Sequence, residues 1–341
     1  MKSLLARFLI LILIGVGLVS CFQEIDTVPL EKSTKVVFTS SHSIYNSITF
    51  FKIYENITAE VSSEPLGTWD LAFQSAEEGD IVLVNYTVSA RAIKTGTNDF
   101  SKVNKNTVNE LYNSSKWKFN DPAYSNIKDS TALEEWESGE IYLVYRGSTS
   151  LSEEAYYKIQ FISKTPDSYT LRYAHVEDAG ETVKTITRTQ GLVNVYFSFE
   201  TNELVEYEPL IGEWDFYFAP YFGWFETLTP GVYSPYNVTG VMINNEGGIR
   251  VSQVFDENIA YEDIDLSMAE NLEYTDWKGA IGSTWKKIPS IEDPIYTMDE
   301  KKKYVIKLHG NYYKLRFLDF YEPNTGDKGY TSFEINLIDN L

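Results

Sequence analysis

The residue best equipped for chemistry is Cys21. It closes the run Leu18-Val19-Ser20-Cys21, which has the form of a bacterial lipobox. In such a run the thiol takes a diacylglycerol, the chain is cut between Ser20 and Cys21, and the freed amine is acylated. What precedes it fits a secretory signal over residues 1–20. Lys2 and Arg7 make a basic start, and Phe8–Leu18 is an apolar stretch too short to span a bilayer. Three acyl chains anchor far more firmly than one, since each buried methylene adds about 0.8 kcal/mol. Cys21 is the only cysteine, so no intramolecular disulfide can form and no second thiol is left for a metal or for catalysis.

Other candidate constellations read as structural. Trp69-Asp70 and Trp214-Asp215 could set a carboxylate beside a sugar-stacking indole, yet they fit core anchors followed by strand-end or turn aspartates. Glu134-Glu135, Glu153-Glu154 and Glu292-Asp293 suit solvated loops. Asp256-Glu257, Asp263 and Asp265 lack the Asp-x-Asp-x-Asp-Gly spacing of a calcium loop. There is no Gly-rich phosphate loop and no Gly-x-Ser-x-Gly, so the chain is not expected to be an enzyme. Tyr221, Phe222, Trp224 and Phe225 are different in kind. Exposed together, they would form an aromatic platform for a glycan or a protein partner.

The elements that position these residues occur twice. Trp69–Phe73 (Trp-Asp-Leu-Ala-Phe) returns as Trp214–Phe218 (Trp-Asp-Phe-Tyr-Phe), and Tyr156–Phe161 returns as Tyr312–Phe317. Phe50–Ile53 matches Tyr196–Phe199, and Thr95-Gly96 matches Thr239-Gly240. Spacing holds: Phe51 to Trp69 is 18 positions and Phe197 to Trp214 is 17. This predicts two tandem antiparallel, sandwich-like β domains over residues 36–180 and 181–341, after a polar tether over 21–35. The 25 Tyr and 7 Trp, with Val, Ile and Thr, favour strands. Hairpins are expected at 141–162 and 304–320, with short helices only within 99–112 and 265–274. The formal charge of −20 excludes a phosphate-tracking nucleic-acid surface.

Tyr304–Leu308, Tyr312–Tyr321 and Gly329–Ile335, with Tyr196–Phe199 and Trp214–Phe218 upstream, resemble the HmuY family of Bacteroidetes surface lipoproteins. The acidic residues Glu24 and Asp26 after Cys21 resemble the export signal of such lipoproteins. The resemblance implies an all-β, outer-membrane, lipid-anchored protein that binds haem for uptake, with a TonB-dependent transporter as partner. Family haemophores hold iron between two His or Met side chains from the segment after the Trp-Asp motif. Here that segment offers Met242, Met268 and Met298, the last two 30 positions apart, whereas His42, His175 and His309 fall outside it. Thioether ligation of haem iron is chemically sound. The alternative is a non-haem surface binding protein, for a glycan or a protein partner, on the same fold.

Overall fold

The computed structural model describes residues 37–54, 57–77, 79–147, 155–226, 229–287 and 295–339. The signal, Ser20, Cys21 and the tether lie outside the described residues. The first half of the chain carries β1 (Val37–Thr39), β2 (Ser47–Ile53), β3 (Thr58–Pro65), β4 (Leu71–Gln74), β5 (Val82–Val84), β6 (Arg91–Lys94), β7 (Lys118–Phe119), β8 (Tyr142–Tyr145), β9 (Tyr156–Thr165) and β10 (Ser168–His175). The second carries β11 (Thr182–Thr187), β12 (Asn194–Ser198), β13 (Glu203–Val205), β14 (Phe216–Glu226), β15 (Tyr233–Ile243) and β16 (Arg250–Phe255). It ends with β17 (Lys286–Lys287), β18 (Thr297–Met298), β19 (Lys302–Leu308), β20 (Asn311–Tyr321) and β21 (Lys328–Leu337). Helices α1 (Lys105–Leu111) and α2 (Leu266–Glu270) fall inside the two stretches expected to be helical, capped by Asn104 and Asp265. The protein is all-β.

Four larger sheets hold the strands, in the orders β11-β10-β9-β8-β6-β7, β13-β12-β4-β5, β15-β14-β2-β3 and β1-β21-β20-β19-β16. The sequence repeat is visible in them, with an exchange. β9 and β10 stand in the first sheet as β20 and β21 stand in the last. The Trp-Asp strands β4 and β14 likewise occupy equivalent places. However, β2 pairs with β14, setting Phe51 opposite Phe216, and β12 pairs with β4, setting Phe197 opposite Leu71. β1 joins β21, and β11 joins β10. The pairing does not follow the sequence boundary at 180. It groups residues 69–213 into one pair of sheets and residues 37–65 with 214–338 into the other. Lys35–Leu341 forms one compact unit.

One of the four sequence matches does not survive in space. Thr95-Gly96 follows the end of β6, whereas Thr239-Gly240 lies inside β15. The equivalent positions are instead Asn85 and Asn244, whose side-chain amides donate to the carbonyls of Trp69 (2.7 Å) and Trp214 (2.9 Å). Asn85 is 16 positions after its Trp and Asn244 is 30 after its own. The difference is the β14–β15 hairpin, whose two strands run 11 residues each, against 4 and 3 in β4 and β5.

Strand alternation builds the cores. On β4, Leu71 and Phe73 face the first outer sheet, while Ala72 faces the centre. On β14, Phe216 and Phe218 face the last sheet, while Tyr217, Ala219 and Tyr221 face the centre. The central core is therefore shared by the two inner sheets, and it is rich in Trp and Tyr. Trp69 touches Tyr86, Tyr196 and Tyr207, and Trp214 touches Phe50 and Tyr217. The Tyr86 and Tyr217 hydroxyls meet at 3.2 Å. Buried tyrosines need such partners, because an unpaired hydroxyl in an apolar site is destabilising.

Glu208 enters this core as its acid. It accepts hydrogen bonds from the Asn194 amide (2.7 Å) and the Tyr196 hydroxyl (2.8 Å). Burial pushes its carboxyl up to about 7, against the pull of those donors and of Lys278. A carboxyl raised in the folded state stabilises the fold when protonated. That contribution is complete below the usual value of 4.5 and is lost as pH rises through about 7. Between pH 4.5 and 7.5, wild-type stability is expected to fall relative to Glu208→Gln by on the order of 2–3 kcal/mol. Urea melts of both proteins across this window measure it. Parallel profiles would mean that Glu208 is not the titrating group.

Candidate ligand-binding clefts

The Trp-Asp pairs are braces, as the sequence suggested. Asp70 accepts from the Phe199 amide (2.7 Å) and from Arg146 Nε (2.7 Å). Asp215 accepts from the Ile53 amide (2.6 Å) and from Lys52 Nζ (3.0 Å). Each carboxylate thus pins the exchanged strand, β12 or β2, at its end. Burial raises both carboxyls while the basic partner opposes it. Both carboxylates and both indoles are buried.

The two methionines are not brought together. Met268, on α2, packs with Val254, Ile264 and Val305 on the outer face of the last sheet. Met298, on β18, packs against the opposite face of that sheet, with Trp285 and Phe320. Alternation along β19 puts Val305 on one side and Tyr304 and Ile306 on the other, so sheet backbone separates the two sulfurs. They cannot clasp one iron in this geometry. The histidines have local roles. His42 Nδ1 lies 2.8 Å from Glu60, His175 packs edge-on against Tyr157, and His309 makes the β19–β20 turn at φ 50°. Among the described residues no three His, Cys, Asp or Glu side chains gather as a metal site.

The aromatic run on β14 divides. Tyr221 is buried in the central core. Phe222 and Trp224 point to the other face and both meet Phe119 of β7, at ring-centroid distances of 5.3 and 5.4 Å. Phe225 is half-buried, and its ring lies over Gly223, where a Cβ would come within 2.8 Å of it. Only Trp224, 56% exposed, offers an open ring.

Two of the clefts among the described residues have several aromatic side chains in their walls. The first, about 570 Å³, lies where β14–β15 meets the turns before β2 and β18, and its walls include Tyr45, Leu66, Val88, Pro220, Tyr236 and Tyr296. The tyrosines form a cluster, with the Tyr296 amide donating to the Tyr321 hydroxyl at 2.8 Å. Burial, with Tyr296, Tyr321 and Tyr236 close by, raises the Tyr45 phenol and keeps it neutral. Thr239, also in the wall, accepts a hydrogen bond from buried Lys286, whose amine burial pulls down to about 7. Lys286 sits among Trp285 (4.2 Å) and Phe320 (4.9 Å), and Lys328 lies 5.8 Å from the Tyr296 ring. Nothing in the sequence groups these residues, because Tyr45, Tyr236 and Tyr296 come from three distant segments.

The second cleft, about 440 Å³, has Trp117, Phe119, Tyr124 and Trp224 in its walls, with Asp121, Asp129 and Glu134 among its polar groups. Glu134 is paired with Lys118. Asp121 accepts from the Ala123 amide at 3.0 Å, and burial pushes its carboxyl up to about 6.

Residues 41–335 match the family described as HmuY protein, which covers three of the larger sheets whole and the last one apart from β1 and the final two residues of β21. The chain belongs to the HmuY family. Three solved structures show remote likeness to this HmuY-family chain. An HmuY-like heme binding protein from Bacteroides vulgatus is 12% identical, with 89% of this chain and 92% of that one covered, at a TM-score of 0.22. The apo HmuY analog of Tannerella forsythia is 12% identical, with coverage of 90% and 96% and a TM-score of 0.23. Apo PinO from Porphyromonas gingivitis is 17% identical and covers 43% of this chain and 91% of its own, at a TM-score of 0.21. No curated protein matches. Family membership rests on the sequence match.

Proposed function

We propose that this HmuY-family chain is a surface lipoprotein that captures haem or a related porphyrin in the tyrosine-lined cleft and passes it to a TonB-dependent transporter. Membership of the HmuY family over residues 41–335 is the observation that carries this reading. The cleft suits the cargo. A porphyrin is a flat macrocycle with two carboxylates on one edge. Tyr45, Tyr236 and Tyr296 supply ring faces and phenol oxygens, Leu66 and Val88 supply apolar contact, and Lys328 brings positive charge to the Tyr296 side. Phenol oxygen is an established axial donor to haem iron. Because Met268 and Met298 face opposite sides of a sheet, ligation by that pair is not part of the proposal.

Titrating the purified protein with haemin tests it. Saturable binding is expected, with a high-spin ferric spectrum rather than the sharp low-spin band of a two-thioether site. Tyr236→Phe, which removes one phenol, should weaken binding about tenfold, equivalent to about 1.4 kcal/mol. Met268→Ala should bind as wild type does. Absence of saturable binding to haemin and to metal-free protoporphyrin would sink the proposal. A low-spin spectrum abolished by Met268→Ala would put the iron elsewhere.

A further inference from the structure

The second cleft holds chemistry that porphyrin capture does not use. Trp224 projects from the long β14–β15 hairpin with more than half its surface open. Its ring is nonetheless fixed, lying 5.4 Å from Phe119 at a tilt of 31°, with Phe222 braced against Phe119 from the same strand. An indole held in place but left exposed forgoes the stabilisation that burial would give, which marks a surface kept for contact. The volume of about 440 Å³ is in the range of small-molecule sites.

The polar groups narrow the ligand class. Of the three carboxylates, Glu134 is neutralised by Lys118 and Asp121 is engaged by the Ala123 amide. That leaves Asp129, with the Ser130 hydroxyl beside it, and the paired Lys118 and Glu134. An organic cation would want unpaired carboxylates around the rings, and an anion would be repelled by Asp129. A neutral polyol with an apolar face meets every feature. Its C–H face covers the ring, and its hydroxyls donate to Asp129 and Glu134 and accept from Lys118. We propose that this cleft is a carbohydrate-binding site, which seats a pyranose ring of a neutral glycan on Trp224 with Asp129 fixing its hydroxyls. It is separate from the porphyrin cleft, and the two readings stand or fall independently.

Affinity electrophoresis of the whole chain in native gels cast with galactomannan, yeast mannan or hydroxyethylcellulose tests the site, against a gel without polysaccharide. Retardation is expected in at least one of them. Trp224→Ala should lower the apparent affinity about tenfold or more, the scale of a central aromatic contact. Trp224→Phe should restore part of it, and Asp129→Asn should weaken it while leaving the ring in place. Haemin titration and thermal melts should be unchanged in all three variants. Unretarded migration of wild type in every gel overturns the proposal, as does retardation that Trp224→Ala and Asp129→Asn leave intact. Spermine quenching Trp fluorescence in a protein that no gel retards would replace the glycan with an organic cation.

Discussion

A fragment spanning residues 67–213 is expected to fold on its own, and a fragment spanning 36–180, the first sequence copy, is not. The first fragment contains β4 to β13, every strand of two facing sheets. It keeps the core between them intact, with Phe73, Val144, Ile159, Leu171 and Phe197 all present. Asp70 keeps both Arg146 and the Phe199 amide. The second fragment loses β11, β12 and β13, and with them Ile186, Val195, Phe197 and Phe199 from that core. It also strands β2 and β3 without β14. Each large apolar side chain contributes about 1.5–3 kcal/mol when buried, and a whole domain is stable by only about 5–15 kcal/mol. Losing four of them together with the Phe199 amide's bond to Asp70 takes the fragment below the folding threshold. The 67–213 fragment leaves the central face bare, with Trp69, Tyr196 and Tyr207 open to water, so it should self-associate. Circular dichroism melts and size-exclusion chromatography measure both outcomes. A cooperative melt for 36–180 and none for 67–213 would make the sequence copies the folding units after all.

Cys21→Ser is expected to abolish lipidation altogether. Diacylglycerol transfer needs a thiolate nucleophile, and a serine hydroxyl at neutral pH is far too weakly acidic to replace it. No other cysteine can substitute. Wild-type protein should incorporate labelled palmitate and partition into detergent, while the variant should do neither and should keep its signal. Label persisting in the variant would refute the assignment of Cys21. Protease treatment of intact cells then reports the side of the membrane. Digestion of wild type places it on the outer surface, and full protection places it on the periplasmic leaflet.

The sequence revealed element types and their repetition, because both are local. Tyr156–Phe161 and Tyr312–Phe317 alternate apolar and polar residues over a long run, and they became β9 and β20. The two short helices fall inside the stretches 99–112 and 265–274 that the sequence marked. The strand exchange was not legible. Phe50–Ile53 reads the same whether it pairs with β4 or with β14, since register depends on which apolar face is buried and not on which neighbour buries it. The false Thr-Gly match arose the same way, because extending one hairpin shifts every later position without altering local pattern. Met268 and Met298 have family-like separation in sequence, but separation along a strand-rich chain does not say which face of a sheet a residue takes. Tyr45, Tyr236 and Tyr296 were invisible as a group because only the fold unites them.

The exchange of β2 also sets the order in which the molecule can assemble. Lys52 and its partner Asp215 lie 163 positions apart. At roughly 5–20 residues per second, the part of the chain that makes β2 waits on the order of ten seconds or more for β14 to exist. During that time β4 to β13, whose pairings are closed among themselves, can complete their sheets. The aromatic run Ser47–Ile53 meanwhile has only β3 for a neighbour, with its other edge and the faces of Phe50 and Phe51 open to other chains. Crowded synthesis should therefore expose this segment first, and a holding chaperone acting on the nascent protein would be expected to cover residues 47–53 rather than its later half.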